Sequence, residues 1–104
     1  MDSRAADAID VFCYQARKFI GAYAAALGGI DALVFTGGIG AHSPEIRARI
    51  CEKLDFLGIR IDPVLNTTNA ANISAAHSRV VIRTVNTNEE VVIARHVRKS
   101  LSVH

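Results

Sequence analysis

Residues that could carry out chemistry concentrate around one glycine-rich stretch, Thr36-Gly37-Gly38-Ile39-Gly40. Its glycines permit positive φ angles and allow a ligand to approach the backbone closely. A helix that follows such a turn offers unpaired N–H groups and the positive end of its dipole. The stretch therefore predicts a cradle for a phosphate or for one edge of a nucleotide.

The spacing of these glycines differs from that of two common nucleotide motifs. Gly38-Ile39-Gly40-Ala41-His42-Ser43 lacks the third glycine of the dinucleotide fingerprint, and no lysine follows as it does in a Walker P-loop. A tight strand-to-helix turn without any ligand explains the glycines equally well. The pattern alone leaves both interpretations open.

A second candidate site residue is Glu89, within Thr87-Asn88-Glu89-Glu90. Thr87 and Glu90 have the spacing of a capping box, in which Glu90 folds back onto the cap and leaves Glu89 free. A free carboxylate at a helix start can hold Mg²⁺ directly or through a water molecule. An acid that only offsets the helix dipole is the simpler interpretation, and the residues alone favour it.

The histidines and cysteines indicate no catalytic arrangement. His42 lies within the glycine turn and could form a hydrogen bond to a ligand. The other histidines are expected to be solvated: His77, His96 and His104. Cys13 and Cys51 match no zinc or redox spacing, so we predict that they are small buried hydrophobic residues. No Ser-His-Asp or Cys-His pattern stands out, and no catalytic residue is assigned.

The elements that must position these residues alternate between helix and strand, which indicates an α/β fold. A helix is predicted over residues 4–27, where apolar residues recur every three or four positions and Gly28-Gly29 provides a stop. The apolar run Ala32-Leu33-Val34-Phe35 predicts a strand buried on both faces. The glycine turn follows this strand directly.

The second half of the chain continues the alternation. Ser43-Pro44-Glu45 combines a preferred cap, a favoured first helical residue and an acid, so a helix is predicted from Pro44 to Gly58. Residues 62–77 are rich in Asn, Thr, Ala and Ser and are predicted to be an irregular surface connection. A second strand is predicted over residues 79–85, and a last helix from Thr87 through Leu101.

The composition limits which classes of protein the chain can belong to. The 104 residues make one domain or part of one, and the apolar half of them suffices for a core. The net charge is +2 without the basic stripe that nucleic-acid binding needs, so no nucleic-acid partner is expected. The apolar run from Ala22 to Leu27 is far too short to span a bilayer, and nothing resembles a signal peptide. We expect a cytoplasmic protein without a membrane partner.

Several segments together resemble the acetate kinase family, which includes the propionate and butyrate kinases. The segments are Phe19-Ile20-Gly21-Ala22-Tyr23, residues 31–40, Leu57-Gly58-Ile59 with Asn66, and Thr87-Asn88-Glu89-Glu90 with Ile93-Ala94. The resemblance covers almost the whole chain. It implies that residues 1–104 form the C-terminal nucleotide-binding part of an actin-like ATPase domain, with a short parallel or mixed sheet flanked by helices.

The resemblance also implies an activity. Members of the family transfer the γ-phosphoryl group of ATP to a short-chain carboxylate such as acetate or propionate, with Mg²⁺, and act as homodimers. Glu89 falls on the family's Mg²⁺-linked glutamate. The resemblance also implies that the glycine turn holds the adenosine side of ATP. The positions that fall on this ATP-contacting stretch are Gly38, Ile39, Gly40, Ala41 and His42. The family usually has Glu-Asn or Glu-His at the last two positions, so the affinity for nucleotide is expected to differ. His42 can still donate and accept hydrogen bonds.

Only the C-terminal end of the longer family members is matched. Phosphoryl transfer depends on positioning and charge-stabilising groups, so the 104-residue chain alone is expected to be inactive. An alternative is a non-catalytic module that pairs with itself or with a complementary kinase half through its first helix. A dinucleotide-binding dehydrogenase domain is a weaker third interpretation. The choice among acetate, propionate and butyrate stays open.

Overall fold

The computed structural model describes residues 3–37, 43–85 and 100–103. In chain order, the elements are α1 (Ser3–Leu27), β1 (Ala32–Phe35), α2 (Pro44–Cys51), a 3₁₀ turn (Asp55–Leu57), α3 (Pro63–Thr67), β2 (Val81–Thr84) and β3 (Ser100–Val103). The described strands form one parallel sheet in the order β2-β1-β3. The arrangement confirms the predicted α/β class.

Strand β1 is the central strand of the sheet. Its last residue, Phe35, lies opposite Thr84 of β2 and Val103 of β3. All four of its side chains are buried, which is why the sequence here is a continuous apolar run rather than an alternating one. Because the three strands run parallel, their carboxyl ends meet at one edge of the sheet.

Helix α1 has almost the predicted bounds and is stopped by Gly28 and Gly29. The two glycines have φ angles of +75° and +118°, which other residues rarely adopt. The N–H of Gly29 donates to the carbonyl of Ala24 at 2.7 Å, which satisfies one of the last carbonyls of the helix. None of the helices in the described ranges has the length and apolar character needed to cross a membrane.

The core lies between the sheet, α1 and α2. Its buried members from these elements are Cys13, Ile20 and Ala24 of α1, Leu33 and Phe35 of β1, Ile50 and Cys51 of α2, Ile82 of β2 and Val103 of β3. Arg17 of α1 fixes the end of α2, because its guanidinium donates to the carbonyls of Arg49 at 2.6 Å and Ile50 at 3.2 Å. A cation at this position also suits the negative end of the α2 dipole.

The helix predicted from Pro44 to Gly58 is shorter than expected. It ends at Cys51, and a separate 3₁₀ turn covers Asp55–Leu57. The break falls at Leu54, whose φ of −104° and ψ of 12° lie outside the helical region, and whose N–H bonds back only to Cys51. Gly58 then closes the turn with a φ of +83°.

The prediction that residues 62–77 are an irregular connection is wrong for their first third, which forms α3. Asp62 caps this helix, because its Oδ1 accepts from the N–H groups of Val64 at 2.9 Å and Leu65 at 3.0 Å. Pro63 occupies the first helical position. Cap and proline outweighed the weak helix propensity of the Asn and Thr residues that follow.

The predicted last helix extends to Leu101, and this end of the prediction is wrong. Ser100–Val103 is strand β3, paired parallel with β1, while residues 86–99 lie outside the described ranges. The N–H of Thr36, just after β1, donates to the carbonyl of Val103 at 2.7 Å. A buried central strand needs partners for its backbone groups on both sides, and β3 supplies them on one side.

Candidate functional site

The predicted nucleotide-contacting residues, Gly38, Ile39, Gly40, Ala41 and His42, lie outside the described residues, and so does Glu89. The structure describes residues that adjoin both segments in the chain. Gly37 and Ser43 flank the first segment, and Val85 precedes the second. The positions and hydrogen bonds of these neighbouring residues are therefore what the structure shows of the site.

The described residues that precede the two segments, Gly37 and Val85, follow adjacent strands at the same edge of the sheet. The N–H of Val85 donates to the carbonyl of Phe35 at 3.0 Å, so the ends of β1 and β2 are in direct contact. In open parallel sheets, ligands bind in the crevice outside the carboxyl ends of the strands. Sequence spacing alone could not show that the segments at residues 38–42 and 89 depart from neighbouring strands.

The first residues after β1 show how the turn begins. Thr36 is fully buried, and its hydroxyl donates to the carbonyl of Val103 at 3.4 Å, beside the shorter bond from its N–H. Gly37 has a φ of +76°, in the left-handed region that favours glycine. The chain therefore leaves the sheet from an anchored threonine through a glycine that this backbone conformation requires.

Helix α2 begins where the sequence predicted. Ser43 has extended φ and ψ angles of −117° and 96°, and its Oγ accepts from the N–H of Ile46 at 3.4 Å. Pro44 is at the first position. Glu45 in the first turn pairs with Arg49 at 3.1 Å, one turn further along the same exposed face. The cap is thus a neutral hydroxyl, with a carboxylate close by.

A buried polar clamp fixes the start of α2 against α3; we call it the Arg47–Asn66 clamp. Arg47 is fully buried, and its guanidinium donates to Asn66 Oδ1 at 2.8 Å and to the Asn66 carbonyl at 2.9 Å. It also donates to Asn69 Oδ1 at 2.8 Å. In return, Asn66 Nδ2 donates to the carbonyl of Pro44 at 2.9 Å. The first turn of α2 is therefore bonded to α3 in both directions.

The role of Arg47 was not predicted from the sequence. An arginine on a predicted helix is ordinarily assigned to solvent, and burial here lowers its pKa from the usual range. The available signal was its position three residues before Ile50 and four before Cys51, both of which are buried. This spacing places Arg47 on the core-facing side of α2.

The cysteine prediction is confirmed. Cys13 and Cys51 are free thiols and both are buried. Burial raises the pKa of Cys51 to about 12 and also raises the pKa of Cys13, so neither is a nucleophile near neutral pH. Of the histidines, His77 is described, and it is exposed as predicted.

The chain is similar to known acetate and propionate kinases. Residues 1–95 match the model of the Acetokinase family. The chain is 50% identical to the acetate kinase of Coprothermobacter proteolyticus over 95 residues, which cover 90% of this chain and 24% of that protein. It is 49% identical to the propionate kinase of Citrobacter rodentium over 96 residues, which cover 92% of this chain and 24% of that protein.

A solved structure gives the same result at the level of the fold. The acetate kinase of Porphyromonas gingivalis superposes with a TM-score of 0.78 at 39% identity, covering 90% of this chain and 24% of that one. The chain therefore spans about a quarter of the length of the relatives that it matches.

Proposed function

The chain belongs to the Acetokinase family, and we propose that it forms the nucleotide side of a kinase that phosphorylates a short-chain carboxylate. In this reaction a carboxylate oxygen attacks the γ-phosphorus of ATP, the bond to the β–γ bridging oxygen breaks, and an acyl phosphate and ADP result. The matched relatives include an acetate and a propionate kinase, so the proposed acceptor is this class of acid.

One observation carries the proposal beyond family membership. The two segments that the sequence assigned to one ligand leave β1 and β2 side by side, through Gly37 and Val85, at the carboxyl edge of the sheet. This is where parallel α/β sheets bind ligands. We assign the residues between Gly37 and Ser43 to the nucleotide: Gly38, Ile39, Gly40, Ala41 and His42.

Following the resemblance to the acetate kinase family, the proposed contact is with the adenosine end of ATP rather than with its phosphates. The start of α2 carries the carboxylate of Glu45 in its first turn. This carboxylate is exposed and pairs with Arg49 at 3.1 Å, so the first turn offers no net positive side-chain charge to a triphosphate, and an uncharged nucleoside needs none. The Ser43 cap is neutral as well, and its hydroxyl accepts one long hydrogen bond of 3.4 Å from the N–H of Ile46. A neutral cap is compatible with an uncharged nucleoside.

For Mg²⁺, the proposal rests on Glu89. The residues that the structure describes include no group of three or more His, Cys, Asp or Glu that could hold a metal ion. A single carboxylate that binds directly or through water is typical of Mg²⁺ sites shared with ATP phosphates. When bound, the ion would neutralise charge on the β- and γ-phosphate oxygens. A cytoplasmic location, where ATP is available, is part of the same proposal.

The experiment measures binding and turnover separately. We expect the 104-residue chain to bind ATP with Mg²⁺ in calorimetry and to give no acetyl hydroxamate in a trapping assay with acetate. Gly38→Val should weaken ATP binding at least about tenfold, a loss of about 1.4 kcal/mol. Gly21→Ala is the control, because a Cβ on Gly21 of α1 would meet no atom within 4 Å.

Two results would count against this proposal. Equal ATP affinity for Gly38→Val and Gly21→Ala would show that the nucleotide does not bind at the glycine turn. Clear turnover by the chain alone would show that the groups for phosphoryl transfer lie within these 104 residues.

A second proposal is self-association through α1, as expected of a homodimer. Phe19, Tyr23 and Leu27 follow one another at four-residue steps and are 45%, 45% and 42% exposed, with the two rings 4.5 Å apart. Such an apolar stripe suits a partner helix. Tyr23→Glu should shift the mass in light scattering from dimer to monomer. Val64→Glu, at a 71% exposed position on α3, should not. A wild-type monomer contradicts this proposal.

A further inference from the structure

The segment assigned above to the nucleotide, residues 38–42, is followed by Ser43 and by the first turn of α2. Within the helix, the N–H of Arg47 donates to the carbonyl of Ser43 at 3.2 Å. The next carbonyl, that of Pro44, accepts a hydrogen bond of 2.9 Å from Nδ2 of Asn66, which belongs to α3. A side chain from another helix therefore holds the backbone one residue beyond Ser43.

Asn66 is itself held firmly in this position. It is buried, and its backbone N–H donates to the carbonyl of Asp62 at 2.9 Å. Its Oδ1 accepts from Arg47 at 2.8 Å while its Nδ2 donates to Pro44. The two ends of the side-chain amide thus have partners of opposite kind, so a flipped amide would lose both hydrogen bonds.

The other end of the nucleotide segment is anchored as well. Thr36 is fully buried, its N–H donates to the carbonyl of Val103 at 2.7 Å, and Gly37 follows with a φ of +76°. Residues 38–42 connect this anchor to Ser43, so the position of the α2 start sets where the segment must end. A binding site depends on such support, because small displacements of its backbone weaken the contacts with the ligand.

We propose that Asn66 is a positioning residue for the nucleotide, and that its hydrogen bond to the Pro44 carbonyl sets the place at which the glycine turn meets α2. This inference rests on the proposed binding of ATP by that turn. Asn66 acts through Pro44 and Ser43 rather than by touching the ligand. Loss of its Nδ2 donor should therefore lower the affinity for ATP even where the stability of the fold is kept.

The Arg47–Asn66 clamp supplies a matched pair of variants. Asn66→Asp keeps an oxygen that accepts from Arg47, as a charge-assisted bond, but it places a second oxygen against the Pro44 carbonyl. Asn69→Asp is the control, because Asn69 Oδ1 also accepts from Arg47 at 2.8 Å. In the part of the chain that the structure describes, the side-chain NH₂ of Asn69 donates to no acceptor. Both variants add the same charge beside the same guanidinium, and only Asn66→Asp removes the bond to Pro44.

The experiment compares ATP affinity with stability in these variants. Calorimetry with ATP and Mg²⁺ should show binding at least about fivefold weaker for Asn66→Asp than for the wild type. Asn69→Asp should bind ATP as the wild type does. The two variants should unfold at similar urea concentrations, so the difference in affinity cannot arise from a difference in stability.

The possible failures are distinguishable. Equal ATP affinity of Asn66→Asp and Asn69→Asp would overturn this inference, and the proposed function would stand if Gly38→Val still weakens binding. A loss of affinity for Asn66→Asp that is matched by an equal loss of stability would leave Asn66 with a structural role only, which also overturns the inference. Absence of ATP binding by the wild-type chain would contradict the proposed function, and this inference with it.

A measurement on the wild-type chain covers the case in which Asn66→Asp does not fold. Because coupling between two sites is reciprocal, ATP should stabilise the bond from Asn66 to Pro44. In NMR, ATP should slow hydrogen exchange of the Asn66 side-chain amide more than that of the Val81 N–H, which donates to Asp31 at the opposite edge of the sheet. Equal slowing of the two groups by ATP would contradict the positioning role.

Discussion

Helices α2 and α3 begin with the same local sequence pattern, but their capping side chains differ in charge and in the hydrogen bonds that they accept. Ser43-Pro44 and Asp62-Pro63 both place a capping side chain before a proline at the first helical position. Asp62 is charged and accepts two N–H groups at 2.9 and 3.0 Å. Ser43 is neutral and accepts one at 3.4 Å.

The difference supports the proposal that the start of α2, rather than that of α3, lies beside a ligand. At α3, the chain satisfies its own N–H groups with a carboxylate, whose charge also repels any anion. At α2, a weak neutral cap follows the glycine turn at the carboxyl edge of the sheet. The two starts are joined by the Arg47–Asn66 clamp, so α3 serves as the support on which the start of α2 is positioned.

The largest expected effect comes from removing the clamp between the two helices. Arg47→Met should lower the free energy of unfolding by about 3 kcal/mol, because it leaves the buried Asn66 without its donor. Arg49→Met, on the exposed face of the same helix, should cost less than about 1 kcal/mol. Urea denaturation measures both. Equal losses for the two variants would mean that α3 does not support α2 through Arg47.

A second effect concerns the other end of α2 and depends on pH. Burial raises the pKa of Cys51 to about 12 from the 9.0 of an exposed thiol, so the folded state keeps a proton that the unfolded chain loses. The stabilisation is complete below pH 9 and is lost as the pH rises towards 12, at about 1.4 kcal/mol per pH unit. Cys51→Ala should flatten this slope in urea titrations from pH 8 to 11. An unchanged slope would show that Cys51 ionises in the folded state as an exposed thiol does.

The smallest effect compares the two caps directly. Asp62→Ala should destabilise the protein by about 1–2 kcal/mol, and Ser43→Ala by about 0.5–1 kcal/mol, because the first removes two short bonds and the second one long bond. Asp62→Ala should leave ATP affinity unchanged. Thermal unfolding measures the two losses of stability, and calorimetry measures the ATP affinity. A larger loss of stability for Ser43→Ala than for Asp62→Ala would contradict this ranking of the caps.

The sequence predicted those parts of the fold that local rules determine. The apolar run of β1, the stop at Gly28 and the start of α2 each follow from neighbouring residues, and the structure confirms them. α3 was missed although Asp62-Pro63 is the same signal as Ser43-Pro44, because the polar residues around it favoured a loop. The role of Arg47 and the strand at Ser100–Val103 were not predictable in this way. Both depend on partners distant in sequence, namely Asn66 and β1.

For the site, the sequence supplied the candidate residues, and the structure supplied their common edge. The glycine turn and Glu89 were assigned through the resemblance to the acetate kinase family, whereas the contact of Val85 with Phe35 depends on how β1 and β2 pair. The assignment of Gly38, Ile39, Gly40, Ala41, His42 and Glu89 to ATP and Mg²⁺ stays a prediction.

The most direct test of the account separates the two ends of ATP on the 104-residue chain. Calorimetric titrations with adenosine and with inorganic tripolyphosphate show which end the glycine turn binds. We predict that adenosine binds, that Gly40→Val weakens this binding at least about tenfold, and that tripolyphosphate does not bind. Tripolyphosphate binding that Gly40→Val abolishes, with no binding of adenosine, would contradict the assignment of this turn to the adenosine end of ATP.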